Sequence, residues 1–226
     1  MEVLDSIPVS LDFKEVMNRL RNHSELEPIV QELLDAVRPV ARPKAVYDVC
    51  YLDERGPDWV TINGVRFASH VLRGVLDEEG RVFPYVATCG TEVDQITVPA
   101  DDLVRAYCLD IMKRMLVTSA RAHLENYLVE RYALGKVSKV SPGELLDWPL
   151  PQQKELFSLI GDVEGLIGVK LTESFLMVPI KSVSGMFFAT EVKFEACQLC
   201  LQPKCESRRA PYSPAMVAEY RAKAGA

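Results

Sequence analysis

The stretch "ADDLVRAYCLDIMKRMLVTSARAHLENYLVERYA", residues 100–133, decides the fold class. It is the longest periodic segment of the chain, with Val104, Tyr107, Cys108, Ile111, Met112, Met115 and Leu116 spaced to share one helical face. Asp101 or Asp102 supplies the cap, so a long buried or half-buried helix is expected to begin there. Upstream, "RVFPYVATCG" (residues 81–90) reads as a strand, and "ASHVLRGVLDEEG" (68–80) as a short helix capped by Ser69 and closed by Gly80. "AVYDVCYL" (45–52) and "DWVTI" (58–62) are rich in β-branched and aromatic residues, and Gly56-Pro57 between them marks the turn of a hairpin. In "SELEPIVQELLDAVRPVA" (24–41), Ser24 and Glu27 have capping-box spacing and Ile29, Leu33, Leu34 and Val37 recur, which predicts a helix ended by Pro39.

Downstream, "KVSPGELLDWPL" (139–150) interrupts the helical pattern with a Pro-Gly turn, one residue fixed in φ and the next freed. "DWPLPQQKELFSLI" (147–160) predicts another helix, and "IGVKLTESFLMVPIKSVSGMFFATEV" (167–192) a pair of strands interrupted at Pro179. Helices mixed with hairpin-like strand pairs give an α+β class with an antiparallel or mixed β-sheet. No internal repeat or low-complexity linker is present.

Composition narrows the function classes. At 226 residues and 48% hydrophobic content the chain can bury a substantial core. A net charge of -6 and the absence of a basic run argue against a nucleic-acid binder, which needs a cationic surface to neutralise phosphates. "MEVLDSIPVSLDF" carries acids where a signal peptide carries positive charge, and no apolar run approaches the roughly 18 residues of a membrane span. A cytoplasmic protein is expected. The cysteine pattern agrees, since Cys50, Cys89 and Cys108 lie far apart in apolar contexts and read as core residues rather than a disulfide framework.

The C-terminal "CQLCLQPKC" sets Cys197, Cys200 and Cys205 in a C-x2-C-x4-C run, a spacing that lets three thiolates converge on zinc or an iron–sulfur cluster completed by a further ligand. The three histidines, His23, His70 and His123, are scattered and receive no catalytic role. Thr172, Glu173, Ser174, Lys181, Ser182 and Ser184 surround an apolar centre, where such residues usually terminate strands or satisfy turns. "RRAPYSP", with Arg208 and Arg209, reads as a packed tail.

Taken together, "IGVKLTESFLMVPIKSVSG", "SPG", "DWPL" and "QQKELFSLI" resemble the activation domain of vitamin B12-dependent methionine synthase, in its stand-alone form. The likeness is dense over residues 139–188 and diffuse over 46–132. It implies a C-shaped α+β domain with a twisted sheet flanked by helices, and three parts: an N-terminal helical extension (1–40), the activation-like domain (41–190) and a Cys-rich tail (191–226). It further implies an accessory protein that binds S-adenosylmethionine and docks on a cobalamin-bearing methyltransferase. There it would support reductive remethylation of the corrinoid with an electron donor such as flavodoxin. Any catalytic role would be as part of that methyltransferase system, and the contribution is positioning rather than nucleophilic attack.

Carried over residue by residue, the resemblance points to Lys139, Ser141, Pro142, Gly143 and Glu125 as the S-adenosylmethionine site. The family's loop reads Arg-x-x-x-Gly-Tyr, and here Lys139 stands at the arginine, Gly143 matches and Glu144 replaces the tyrosine. Lysine keeps the charge but lacks the bidentate fork that suits a carboxylate. Aligning "SARAHLENYL" places Ala122 where the family has a glutamate, with Glu125 one turn on as its substitute. The cysteine run supports an alternative expectation. This is a corrinoid-protein-binding or redox module that has lost S-adenosylmethionine binding and carries a metal or iron–sulfur site on Cys197, Cys200 and Cys205.

Overall fold

The computed structural model describes residues 1–76, 80–145, 147–190, 195–205 and 208–218. In chain order the elements are β1 (Glu2–Leu4), α1 (Phe13–Arg19), α2 (Glu27–Val40), β2 (Lys44–Tyr47), β3 (Cys50–Arg55), β4 (Trp59–Ile62), β5 (Val65–Ala68) and α3 (His70–Val75). They continue with β6 (Arg81–Thr88), α4 (Leu103–Arg131), β7 (Lys136–Val140), α5 (Gln153–Ile160), α6 (Val163–Ile167), β8 (Lys170–Leu171), β9 (Met177–Val178) and β10 (Ser182–Thr190).

The main sheet is antiparallel and centred on β6. One edge of β6 pairs with β2 at Tyr85–Thr88 and with β3 at Arg81–Val82. Pro84 falls at the gap between those two partners, and its carbonyl accepts from Asp48 N–H there. The N–H that proline lacks is therefore missing where no ladder partner needs it. The other edge pairs with β10, which in turn pairs with β7. β3 and β4 form the expected hairpin, with a register shift between Leu52 and Glu54, while "AVYDVCYL" breaks into two strands at Asp48–Val49.

Side chains of β6 alternate across the sheet. Phe83, Tyr85 and Ala87 face Ala120, Leu124 and Leu128 of α4, and Val82 and Val86 face the opposite layer of α3, α5 and α6. The first half of α4 leaves the sheet and packs on α1 and α2 through Cys108, Leu109, Ile111, Met112 and Leu116. Asp102 caps α4 by accepting from Arg105 N–H at 2.9 Å, and Ser69 caps α3 by accepting from Leu72 N–H at 3.0 Å.

Several expectations need correcting. Val104 and Tyr107 are exposed, because the buried stripe of α4 begins at Cys108. Ser24 opens a 3-10 turn instead of a capping box, and α2 starts after it with Pro28 in its first turn. Pro39 lies inside the last turn of α2 and does not end it. Residues 1–40 hold more than helix. β1 joins the sheet beside β2, and Glu2 accepts from the hydroxyls of Tyr47, at 2.7 Å, and Tyr127. Among the described residues no helix is long and apolar enough to cross a membrane.

Candidate functional site

The loop that interrupts the helical pattern is anchored on both sides. Ser141 follows β7, and Gly143 turns the chain with φ +80° while donating to the Trp148 carbonyl at 2.7 Å. A side chain at Gly143 would also crowd Leu150, 3.2 Å from an added Cβ. Asp147 accepts from Ser69 Oγ at 2.6 Å and Val71 N–H at 2.7 Å, so it tethers the loop to the start of α3. Trp148 is fully buried, edge-on to Phe67. Gln152 exchanges two hydrogen bonds with the backbone of Ala68. This closed loop presents Gly143 to solvent with Ser141 and Glu144 half-buried and Pro142 buried.

Lys139 is a strand residue, not a loop residue. It sits opposite Phe187 of β10 and shares the α4 face with Val137. Its side chain is 10% exposed, and the ammonium lies 3.8 Å from Glu125 Oε2, beyond hydrogen-bond range. Burial, with the Arg121 charge behind it, holds the amine below the usual lysine range. Arg121 and Glu125 are one turn apart on α4. Arg121 Nε is buried without a hydrogen-bond partner among the described residues. Ala122, expected at the family's glutamate position, is exposed, and Glu125 is the acid that faces Lys139.

Beneath this group lies Tyr85, stacked on Phe187 at 4.4 Å, with the Ser141 side chain near its hydroxyl. Burial pushes its hydroxyl up to about 12. Gly185, the glycine of "SVSG", is what lets these parts meet. A Cβ there would lie 2.5 Å from the Val140 carbonyl oxygen, 2.8 Å from Ser141 Oγ and 3.2 Å from the Tyr85 ring.

The C-terminal segment closes one side. Glu195 forms an isolated parallel bridge with Lys139, and Ala196 is fully buried. Arg209 Nη2 donates to Glu144 Oε1 at 2.9 Å, and its Nε lies 3.1 Å from Glu195 Oε2. Burial raises the Glu144 carboxyl above the usual range against the opposing pull of Arg209 and Lys139. The assembled site thus holds three cations, Arg121, Lys139 and Arg209, and three acids, Glu125, Glu144 and Glu195.

Among the described residues Cys197, Cys200 and Cys205 are not drawn together as a ligand set. Among the described residues no three His, Cys, Asp or Glu side chains are arranged to hold an ion. Cys197 and Cys200 are half-buried, Cys205 is exposed, and all three are free thiols. The turn they occupy closes instead around the Arg208 guanidinium, which donates to the carbonyls of Cys197 (2.9 Å), Cys200 (3.2 Å), Ala210 (3.2 Å) and Gln202. Cys50, Cys89 and Cys108 are buried, and desolvation raises all three thiols, as expected of core residues. The Thr172–Ser174 group satisfies its own hairpin. Thr172 Oγ1 accepts from Leu176 N–H at 3.0 Å and bonds Ser174 Oγ at 3.0 Å.

These features define a class: an α+β domain with an antiparallel sheet flanked by helices, and a charged site where the end of β7 meets α4. Residues 123–200 match the family model for the vitamin B12 dependent methionine synthase activation domain, a span that includes Glu125, Lys139, Gly143, Glu144 and Glu195. The fold is similar to that of the solved MetH reactivation domain bound to AdoHcy. That likeness has a TM-score of 0.56 and 16% sequence identity, and it covers 82% of this chain and 72% of that one. No curated protein matches the chain. The resemblance to the activation domain thus rests on sequence over about a third of the chain and on fold over most of it.

Proposed function

We propose that this protein binds S-adenosylmethionine at the charged site and serves a cobalamin-bearing methyltransferase as an accessory reactivation protein. One observation carries the reading. The stretch that matches the activation-domain family is the same stretch that brings Glu125, Lys139, Gly143 and Glu144 together.

The chemistry of the side chains suits a zwitterionic amino-acid ligand. Among the described residues Lys139 has no acceptor within hydrogen-bond range and Arg121 Nε is buried without a partner, so both have donors to offer a carboxylate. Glu125 and Glu144 offer acceptors to an ammonium. Gly143 leaves the backbone of the loop open beside Ser141 and Pro142. Bound S-adenosylmethionine supplies a transferable methyl group, and the protein's part is to hold it in line with an acceptor on the partner, with no nucleophile of its own. A corrinoid protein is the partner this reading requires, and a flavodoxin-like donor would deliver the electron. We assign residues 41–190 to the ligand-holding domain and the whole chain to the cytoplasm, where its free thiols stay reduced.

Titration of the purified protein with S-adenosylmethionine and with S-adenosylhomocysteine by calorimetry tests the proposal. Saturable heat with one ligand per chain is expected. No heat at millimolar ligand removes it.

A further inference from the structure

Glu144 and Arg209 are 65 residues apart in sequence, and Arg209 lies outside the stretch that matches the family. Their contact is built rather than incidental. The Arg208 guanidinium gathers four carbonyls of the tail into one turn, and Ser213 N–H donates to the Gln198 carbonyl at 2.8 Å to close it. Arg209 N–H donates to Cys197 Sγ at 3.4 Å, which fixes the backbone of the next residue. The Arg209 side chain is then held from two sides, by Glu144 and by Glu195.

Glu144 has reason to need this. It stands at the rim of the site with a second carboxylate, Glu195, in its neighbourhood. Without a cation between them, two acids in a half-buried place repel each other and favour protonation. We propose that Arg209 is a positioning residue, which fixes the Glu144 carboxylate at the rim of the candidate site and keeps it available to the cationic group of a ligand. The inference deepens the ligand reading above and rests on it for the ligand's identity.

The groups that act on Glu144 are Arg209 from the tail, Lys139 from β7, Glu195 after β10, Arg121 from α4 and Tyr85 from β6. Removing Arg209 takes away the cation that bonds Glu144 directly, leaving the more distant Lys139 and Arg121 to balance it. The test is a carbon-13 NMR titration of the full chain labelled at glutamate carboxyls, with Glu144→Gln used to assign the resonance. In Arg209→Met the Glu144 midpoint moves up from the wild-type value, and in Arg209→Lys it falls between the two. Calorimetry with S-adenosylmethionine then shows about tenfold weaker binding in Arg209→Met. The double variant Glu144→Gln/Arg209→Met binds no more weakly than Glu144→Gln alone.

An unchanged Glu144 midpoint across wild type, Arg209→Lys and Arg209→Met overturns the inference. If Arg209→Met does not fold, Arg209→Lys against wild type decides it by the same titration. If the wild-type protein binds no S-adenosylmethionine, the ligand reading fails, while the titration still decides the role of Arg209.

Discussion

Two stretches that carry the resemblance to the activation domain use their polar residues in opposite ways. In "KLTES" the hydroxyls of Thr172 and Ser174 bond each other and the local backbone, so the hairpin is complete in itself. In "KVSPGELLDWPL" the polar residues reach outward. Asp147 holds α3, Ser141 meets Tyr85, Glu144 meets Arg209, and Lys139 faces Glu125 without bonding it. The first is a self-contained turn, and the second is a junction of four elements with donors left over. Polar groups that are not consumed by local turns are the ones free to reach other elements.

That contrast can be broken from its anchor. Trp148→Ala removes the largest side chain of the core layer beneath the junction, and should cost about 3–5 kcal/mol in urea unfolding. Gly185→Ala tests the close approach. The new methyl would press on backbone at Val140, and thermal melting should show a loss of about 1–3 kcal/mol with weaker ligand binding. On the other side of the comparison, Thr172→Val should cost about 1 kcal/mol and leave ligand binding unchanged, because the hairpin's bonds stay within it.

The smallest stability effect is the most telling. Lys139 is held below its ordinary range, so between that depressed value and the ordinary one the unfolded chain binds more protons than the folded chain. Stability from this group therefore rises with pH across that window, and the cost is present in full below it. Lys139→Met should abolish this pH slope and leave the melting temperature at neutral pH unchanged or higher by about 2–4 °C. Calorimetry should show ligand binding lost. A variant that gains stability while losing ligand marks a residue kept for function.

Much of the scaffold was legible because it is written locally. The caps at Ser69 and Asp102, the strand at residues 81–88 and the hairpin across Gly56-Pro57 follow from short-range chemistry, and the structure has each of them. The failures come from competition at a distance. β1 is three residues long and owes its place to tyrosines 45 and 125 positions away. β7 reads "KVSKV", a pattern with too few apolar residues to announce a strand, yet β10 pairs with all of it.

Of the candidate site, the resemblance points to Lys139, Glu125 and the Pro-Gly turn, and the structure places Lys139 beside Glu125. Arg121, Tyr85, Glu195 and Arg209 were not legible in the sequence, since no spacing rule joins four charged or polar residues from four separate elements. Arg209 carried a signal of a kind, an arginine pair beside the cysteine run, but the run's spacing drew attention to a metal site, while its turn gathers carbonyls around Arg208.

The bridge between Lys139 and Glu195 has a further consequence. β7 forms one border of an antiparallel sheet, and a bare border is a template on which a second chain can add a strand. The segment after β10 meets that border at one point, where Glu195 bridges Lys139, so part of the border is taken up by the chain itself. The segment that brings Glu195 to the candidate site therefore also occupies part of the sheet's border.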